Sequence, residues 1–376
     1  MEQRIIGATN NYAELDGWIW CAGAKKVLLV CDGAILHMTA LNRHLEELSS
    51  KGIELVRFCD FVPNPKYESI LEGLRVFESR LCDAIIAVGG GSAIDVAKCI
   101  KAFVTIDGGG PDGSYLRQEI VLNAIPFLAM PTTAGTGSEA TRYAVVYYNG
   151  EKQSVTSESL IPDTVLMDPG ALSTLPPYQR KATMMDALCH AVESCWSVNS
   201  TAESRAHSRE AIRGVMRHMR GYLNNTAEGN AGMLMAAHVA GKAINIAQTT
   251  AGHAMCYKIT SLFRIAHGHA AALCVRKLYP WMVENTGRCT DLRGEEYLTR
   301  VLDEIGVAMG CGGASDGAAM LEDVFCNLKL EVPKASAEQF GILKSSVNPV
   351  RLRNHPIELD TETIDGLYHK ILREAC

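Results

Sequence analysis

The sequence lacks the features that mark membrane, secreted and nucleic-acid-binding proteins. No stretch approaches the ~20 consecutive apolar residues that a membrane-spanning helix needs. The opening segment MEQRIIGATNN has neither the basic region nor the apolar run of a signal peptide. The net charge of −6 offers no general attraction for nucleic acid or anionic membranes. We therefore expect a cytoplasmic protein with no membrane and no nucleic-acid partner.

The sequence also lacks a CxxC metal-binding pair and, at its glycine-rich strand end, the two familiar nucleotide-binding spacings. The thirteen cysteines include no CxxC pair, which disfavours a zinc-finger site, and we expect reduced thiols that serve mostly as small packing residues. The glycine-rich end of the strand at 82–91, AVGGGSAIDVAK, has neither the GxGxxG nor the GxxxxGK[ST] spacing, so it carries neither the usual dinucleotide fingerprint nor a P-loop. Any nucleotide or metal site must be built from other patterns.

The distribution of apolar residues predicts two domains. Apolar runs at 25–33, 54–58, 82–91 and 126–133 predict buried strands, and helical patterns lie between them. Such alternation is typical of a parallel sheet with helices on both faces. After the Pro176–Pro177 pair the patterns are long, helical and rich in Ala and Met. We predict an α/β dinucleotide-binding domain over residues 1–176 and an all-helical metal- and substrate-binding domain over 177–376.

Two glycine-containing loops follow predicted strands. In AVGGGSAIDVAK, Gly89–Ser92 stand where a strand turns into a helix, a place that suits either a bound phosphate or simply a tight turn. The loop MPTTAGTGSEAT is rich in hydroxyls that could bond ribose and phosphate. Asp32 ends the first strand, where it could accept a bond from a ribose hydroxyl or cap a helix. The ribose interpretation disfavours a 2′-phosphate and so favours NAD(H).

A second pattern suggests a metal site. In MDALCHAVES, Asp186 and His190 are four residues apart and share one face of a helix. A metal needs three or four ligands, so this pair alone is as well explained by an ordinary polar stripe. His253 and His267, fourteen residues apart, complete a set of one carboxylate and three imidazoles. This set suits Fe²⁺ or Zn²⁺ better than Ca²⁺ or Mg²⁺.

The order and spacing of these motifs resemble the iron-dependent (group III) alcohol dehydrogenase family. The matching segments are GGGSAIDVAK (89–98), PTTAGTGSEAT (131–141), IPDTVLMDP (161–169), MDALCHAVES (185–194), GHAM (252–255) and AHGHAAAL (266–273). The resemblance implies the two-domain fold shared with dehydroquinate synthase and a homodimer or higher homo-oligomer. It implies the metal ligands Asp186, His190, His253 and His267, for Fe²⁺ or alternatively Zn²⁺. It also implies cofactor-binding residues for NAD(H), with NADP(H) as the alternative: Asp32, Gly90, Gly91, Ser92, Thr132, Thr133, Thr136 and Lys152.

The sequence departs from the family pattern at one position. Many relatives carry a further His four residues after the third ligand, followed by Pro, where this chain has Tyr257 and Lys258. In the family that His is a candidate proton relay near the nicotinamide. We assign catalytic roles to Tyr257 and His267, with the proton coming from the Tyr257 hydroxyl, a cofactor ribose hydroxyl or water.

Cationic groups near the ligands suggest an anionic substrate. Lys258, Arg264 and His269 lie in the same segment as the second and third His ligands, and Arg142 follows the Thr-rich loop. Burying cationic side chains beside a metal ion costs free energy unless an anion pairs with them. The alternatives are a solvent-facing or interdomain ion-paired role for Lys258 and Arg264, and a structural role for His269. The segment also resembles a subgroup associated with reduction of phosphonoacetaldehyde to 2-hydroxyethylphosphonate.

Several functions therefore stay open. The favoured one is a metal- and NAD(P)H-dependent aldehyde reductase acting on phosphonoacetaldehyde. Sulfoacetaldehyde or semialdehyde reduction follows from the same anion chemistry, and a general short-chain alcohol dehydrogenase follows if the cations face solvent. A dehydroquinate-synthase-like lyase is the alternative from another reaction class.

Overall fold

The chain divides into two compact units, Met1–Leu175 and Pro176–Cys376. The division falls between Leu175 and Pro176. The computed structural model describes residues 3–9 and 11–373, and each unit is considered by itself below.

The first unit is built on a six-stranded parallel sheet in the order β1-β8-β5-β4-β2-β3. Its central strands are buried on both faces and rich in Val, Ile and Leu, as expected when helices cover both sides. The strands are β1 Arg4–Gly7, β2 Lys26–Cys31, β3 Glu54–Phe58, β4 Ala84–Gly89, β5 Phe127–Pro131 and β8 Thr164–Met167. The helices are α1 Ala13–Ala22, α2 Thr39–Leu48, α3 Tyr67–Ser79 and α4 Gly91–Phe103. The predicted parallel α/β sheet is confirmed.

A two-stranded antiparallel hairpin stands apart from this sheet. It consists of β6 Tyr143–Tyr148 and β7 Glu151–Thr156, joined by Asn149 and Gly150. Both linking residues have positive φ, 52° and 79°, as a two-residue hairpin turn requires. This hairpin was not among the elements predicted from the sequence.

The second unit is helical, and within its described residues no strand is formed. Helix α5 lies at its centre and is buried along most of its length, packing against α6, α7 and α9. None of the helices in the described part of the chain is long and apolar enough to cross a membrane. The helices are α5 Pro177–Trp196, α6 Ala202–Leu223, α7 Ala227–Ala247, α8 Ala251–Phe263, α9 His267–Glu284, α10 Glu295–Ala308, α11 Ala314–Asn327, α12 Ala337–Ser346, α13 Pro349–Leu352 and α14 Thr361–Arg373.

Candidate active site

One face of α5 carries three ionisable side chains. Asp186, His190 and Glu193 are spaced at i, i+4 and i+7, so they line one side of the helix. All three are buried in a helix whose other residues are largely apolar. Buried charges of this kind need partners, and those partners come from α8 and α9.

Three imidazole nitrogens converge on a single oxygen of Asp186. The Nε2 atoms of His253, His190 and His267 lie 3.7, 4.0 and 3.9 Å from Asp186 Oδ1. These distances are too long for hydrogen bonds. They are close to the ~3.4 Å that separates neighbouring ligand atoms around a tetrahedral ion bound at about 2.1 Å. The structure therefore brings the four proposed metal ligands together.

The donor atoms of this cluster fit a divalent metal. Asp186 Oδ1 and His253 Nε2 are buried and have no hydrogen-bond partner among the described residues. The ligand atoms of Asp186, His253 and His267 all lie within 4.8 Å of one another. His190 lies beside this group, with its ring stacked on that of His253 at a centroid distance of 4.6 Å. A cation held there would satisfy polar atoms that the protein alone leaves unpaired.

The electrostatics of the cluster are coupled. Burial alone would raise the pKa of Asp186, but the neighbouring imidazoles His190, His253 and His267 outweigh it and hold the pKa well below its ordinary value. Burial alone would lower the pKa of His253, but Glu193 and Asp186 raise it to about 10. Asp186 is thus an ionised carboxylate, the form that binds a metal.

His267 and Tyr257 mark the accessible side of the cluster. The His267 side chain is 37% exposed, whereas those of Asp186 and His253 are 4% and 2% exposed. The Tyr257 ring lies parallel to the His267 ring, with centroids 5.6 Å apart and planes inclined by 12°. His267 is therefore the most exposed of the four proposed ligands, and half-buried Tyr257 lies beside it.

Both ring nitrogens of His269 have hydrogen-bond partners within the second unit. It is buried, its Nε2 donates to the Glu331 carbonyl oxygen at 2.9 Å, and its Nδ1 accepts from the Tyr178 hydroxyl at 3.1 Å. Burial lowers the pKa of His269 to about 4, so the ring is neutral near pH 7. The Tyr178 hydroxyl also accepts from the Ala266 N–H at 2.9 Å, which ties the start of α9 to α5. These contacts favour the structural alternative for His269 over the anion-binding one.

The other predicted anion-binding residues lie in different settings. Lys258 is half-buried on α8, directly after Tyr257. Arg264 is exposed at the C-terminal end of α8, where it adopts a left-handed conformation with φ 54°. Arg142 belongs to the first unit and donates to Glu158 at 2.7 Å, so its charge is already paired. Lys258 and Arg264 are the candidates that remain.

In the first unit, the two glycine-containing loops lie against each other. The Thr132 N–H donates to the Gly89 carbonyl oxygen at 3.0 Å. A β-carbon on Gly91 would lie 2.9 Å from the Thr136 side chain, and one on Gly90 would lie 3.3 Å from Thr133. Helix α4 begins at Gly91, so its free N–H groups stand beside the hydroxyls of this loop. This is a suitable site for a phosphate group.

Asp32 caps a short helix, one of its two expected roles, and its role toward a ribose stays a prediction. One carboxylate oxygen caps a short helix by accepting from the Ala34 N–H at 2.9 Å, as in the helix-cap alternative. The other accepts from the Gly90 N–H at 2.9 Å, which places the carboxylate against the glycine turn. Each oxygen retains a lone pair for a ribose hydroxyl.

Ser92 and Lys152 border the same region. The Ser92 hydroxyl accepts a bond from the Asn64 N–H at 3.4 Å. Lys152 lies opposite Tyr147 in the β6–β7 ladder. Burial raises the pKa of the Asp95 carboxyl on α4, and the positive charge of Lys152 acts to lower it.

Two residues of α4 shape the Thr-rich loop, and neither was predicted from the sequence. Lys98 is fully buried and donates to the carbonyl oxygens of Ser138, Thr141 and Tyr143 at 2.5, 2.6 and 2.8 Å. Burial lowers the pKa of Lys98 to about 8. Asp95 accepts from the Ser138 hydroxyl at 2.6 Å. The sequence held a signal for Asp95 and Lys98, because they lie about one and two turns after the start of α4 at Gly91. Residues at those positions face the loop that follows the next strand.

Comparison with known proteins settles the family. The family model "Iron-containing alcohol dehydrogenase" matches residues 3–169, and the model "Fe-containing alcohol dehydrogenase family, C-terminal" matches residues 181–338. The chain belongs to the iron-containing alcohol dehydrogenase family. It is therefore an oxidoreductase of the alcohol dehydrogenase type, and the resemblance identified from the motifs is confirmed.

Individual relatives in this family differ in substrate. The chain is 29% identical to long-chain-alcohol dehydrogenase 1 of Geobacillus thermodenitrificans over 80% of this chain and 82% of that protein. It is 29% identical to phosphonoacetaldehyde reductase of Streptomyces viridochromogenes over 80% of this chain and 79% of that protein. It is 35% identical to 1,3-propanediol dehydrogenase of Citrobacter freundii over 67% of this chain and 66% of that protein.

Solved structures confirm the fold. Sulfoacetaldehyde reductase from Bifidobacterium kashiwanohense, in complex with NAD⁺, superimposes with a TM-score of 0.87 at 23% identity, covering 98% of this chain and 97% of that one. An iron-containing alcohol dehydrogenase from Thermococcus thioreducens superimposes with a TM-score of 0.87 at 22% identity, covering 100% and 99% of the two chains.

Proposed function

We propose that this protein reduces small aldehydes with NADH and a divalent metal, preferably Fe²⁺, held by Asp186, His190, His253 and His267. The observation that carries the proposal is the convergence of three Nε2 atoms, at 3.7–4.0 Å, on one buried carboxylate oxygen that has no hydrogen-bond partner among the described residues. When bound, the metal supplies a Lewis acid for the carbonyl oxygen and the nicotinamide supplies the hydride. Zn²⁺ and NADPH are the alternatives within this proposal.

The chain's own residues would bind and orient the reactants. The α4 N-terminus and the Thr132–Thr136 loop offer N–H and hydroxyl groups for the cofactor phosphates, and Asp32 offers an acceptor for the ribose. The Tyr257 hydroxyl is our candidate proton donor to the product, because its ring lies over that of His267. A homo-oligomeric state and a cytoplasmic location complete the proposal.

For the substrate, we propose a small aldehyde that carries an anionic group, with phosphonoacetaldehyde as the first candidate. Lys258 supports this choice, because it is half-buried and adjacent to Tyr257 on α8. The similarity to a phosphonoacetaldehyde reductase supports it as well. The anionic groups of sulfoacetaldehyde and of semialdehydes could pair with the same cation, Lys258. Because His269 is neutral and Arg142 is paired with Glu158, fewer cations are available to bind an anionic substrate than the sequence suggested. This observation favours a general alcohol dehydrogenase as the second candidate.

A substrate comparison separates these candidates. NADH consumption by the Fe²⁺-loaded protein is followed under anaerobic conditions with phosphonoacetaldehyde, sulfoacetaldehyde, succinic semialdehyde and propanal. We expect kcat/KM for the phosphonate to exceed that for propanal by at least about tenfold, or ~1.4 kcal/mol. The variant K258Q should lose most of this preference. The variant K344Q, which alters a lysine that pairs with Asp365 between α12 and α14, should keep it.

Two results would change the assignment. A preference for propanal or a longer alkanal, unaffected by K258Q, would make the protein a general alcohol dehydrogenase. Turnover with no net NADH consumption would indicate the dehydroquinate-synthase-like class of reaction.

A further inference from the structure

Glu193 is a fully buried carboxylate, and within the described part of the chain none of its hydrogen-bond partners is a Lys or Arg. It lies one turn beyond His190 on the same face of α5 and is 0% exposed. Both of its oxygens accept hydrogen bonds from residues at the start of α8. A charge buried in this way is costly unless its surroundings are arranged to receive it.

The first oxygen of Glu193 caps α8. Oε1 accepts from the Thr250 N–H at 3.0 Å, the Thr250 hydroxyl at 2.6 Å and the Gly252 N–H at 3.0 Å. The Thr250 side chain makes no capping bond of its own, although it stands at the N-cap position. A carboxylate from another helix thus takes the place of the local cap. Its negative charge is also stabilised by the positive end of the α8 dipole.

The second oxygen of Glu193 bonds to the Nδ1 atom of His253. Because a carboxylate oxygen is an acceptor, Nδ1 must carry the hydrogen. The other ring nitrogen, Nε2, faces Asp186 Oδ1 at 3.7 Å and has no hydrogen-bond partner among the described residues. Glu193 therefore fixes both the direction of the ring and the nitrogen that is left for a metal.

Gly252 lets the carboxylate approach this closely. A β-carbon there would lie 3.0 Å from Glu193 Oε2 and 2.6 Å from the Val275 side chain. Any larger residue would force apart the start of α8 and the carboxylate that caps it.

We propose that Glu193 is a positioning residue for the metal centre. It holds the hydrogen on His253 Nδ1, so that Nε2 is presented to the metal, and with its other oxygen it fixes the end of α8 from which His253 projects. This inference rests on the metal-binding role proposed above for Asp186 and the three histidines. It concerns metal affinity and ligand geometry, and Glu193 itself does not touch the substrate.

The variant E193Q separates orientation from capping. The amide oxygen of Gln can still accept the bonds from the start of α8. Its NH₂ group would then face His253 Nδ1, which must become an acceptor, and the ring hydrogen would move to Nε2, the atom needed for the metal. T250V is the matched comparison. It removes the hydroxyl that donates a hydrogen bond to Glu193 Oε1, and it leaves the bond between Glu193 and His253 Nδ1 in place.

The experiment measures Co²⁺ binding to metal-free protein against a competing chelator, with the visible spectrum of bound Co²⁺ and the Tm of the metal-free protein as further readouts. We expect E193Q to bind Co²⁺ about 10–100-fold more weakly than the wild type, with an altered spectrum. T250V should have a lower Tm and bind Co²⁺ within about threefold of the wild type. A purely structural role for Glu193 predicts instead that Tm falls in both variants and that affinity changes in neither.

The failure of this inference can be distinguished from that of the proposed function. Equal Co²⁺ affinity of wild type and E193Q would overturn the role of Glu193 and leave the metal site standing. A wild type that binds no Co²⁺, Fe²⁺ or Zn²⁺ would overturn both. If E193Q does not fold, nitrogen NMR of the Zn²⁺-loaded wild type provides the test. We expect zinc on Nε2 and hydrogen on Nδ1 of His253, and zinc on Nδ1 would overturn the inference.

Discussion

Gly268 in α9 lies directly against Ala182 in α5. A β-carbon at residue 268 would be 2.1 Å from the Ala182 carbonyl oxygen and 2.6 Å from the β-carbon of Asp186. His267, the residue before Gly268, has its Nε2 3.9 Å from Asp186 Oδ1. The absence of a side chain at one position thus allows two helices to approach closely enough for their polar residues to form one cluster.

The variant G268A should separate α5 from α9. We expect a loss of stability of about 1–3 kcal/mol from overpacking, together with weaker metal binding, because His267 moves away from Asp186. Thermal unfolding and chelator competition measure the two effects. G341A is the control, since a β-carbon at Gly341 on exposed α12 has no neighbour within 4 Å. Wild-type metal affinity in G268A would show that the close packing does not position the cluster.

The glycine turn of the first unit makes a separate prediction about the cofactor. In G91A, the new β-carbon would lie 2.9 Å from the Thr136 side chain and would push the Thr-rich loop away from the α4 N-terminus. We expect the Kd for NADH to rise about tenfold or more, or at least ~1.4 kcal/mol. A fluorescence titration with NADH measures this change. G17A, at an exposed and open position of α1, should leave the Kd unchanged. An unchanged Kd in G91A would place the cofactor elsewhere.

Some of this site could be predicted from the sequence because the signals are local. The i, i+4 spacing of Asp186 and His190 depends only on helix geometry, and the glycines before α4 follow directly from the end of a strand. The Asn149–Gly150 pair carried an equally local signal for the β6–β7 hairpin, which the sequence analysis overlooked.

The missed contacts depend on tertiary packing. The role of Glu193 becomes visible only when the start of α8 packs against α5. The pairing of Arg142 with Glu158 crosses the hairpin, which no spacing rule identifies. His269 is two residues from His267, which turns its side chain by about 200° around α9 and toward Glu331.

Tyr257 provides a test of the proton donor. The variant Y257F keeps a ring beside His267 and removes only the hydroxyl. If that hydroxyl delivers the proton, kcat for aldehyde reduction should fall about 100-fold, while KM changes little. The variant Y257H, which restores the residue type of many relatives, should recover part of this loss. Steady-state kinetics decide the matter, and an undiminished kcat in Y257F would assign the proton to water or to a cofactor hydroxyl.

His355 predicts how stability depends on pH. It is buried, neither ring nitrogen has a hydrogen-bond partner among the described residues, and burial lowers its pKa to about 4 against a weaker opposing effect of Glu193. The unfolded chain, in which His titrates near 6.5, takes up more protons between pH 6.5 and 4. Stability is therefore complete above about pH 6.5 and is lost as the pH falls through this window.

The variant H355L cannot titrate and should lose less stability on acidification. Between pH 7 and pH 4 we expect the free energy of unfolding of the wild type to fall by roughly 2–3 kcal/mol more than that of H355L. Urea denaturation at a series of pH values measures it. H37L, at an exposed position, should follow the wild-type curve. Parallel curves for wild type and H355L would refute the assignment to His355.

The central claim is that Asp186 and three histidines hold a metal that aldehyde reduction requires. The most direct measurement strips the metal from the wild type and from D186N, restores Fe²⁺ without oxygen, and follows NADH absorbance with phosphonoacetaldehyde and propanal. We predict no NADH consumption in the metal-free protein, one NADH consumed per aldehyde once Fe²⁺ is restored, and activity in D186N below about 1% of the wild type, in line with the loss of a ligand. Equal activity with and without metal, or an active D186N, would contradict the account.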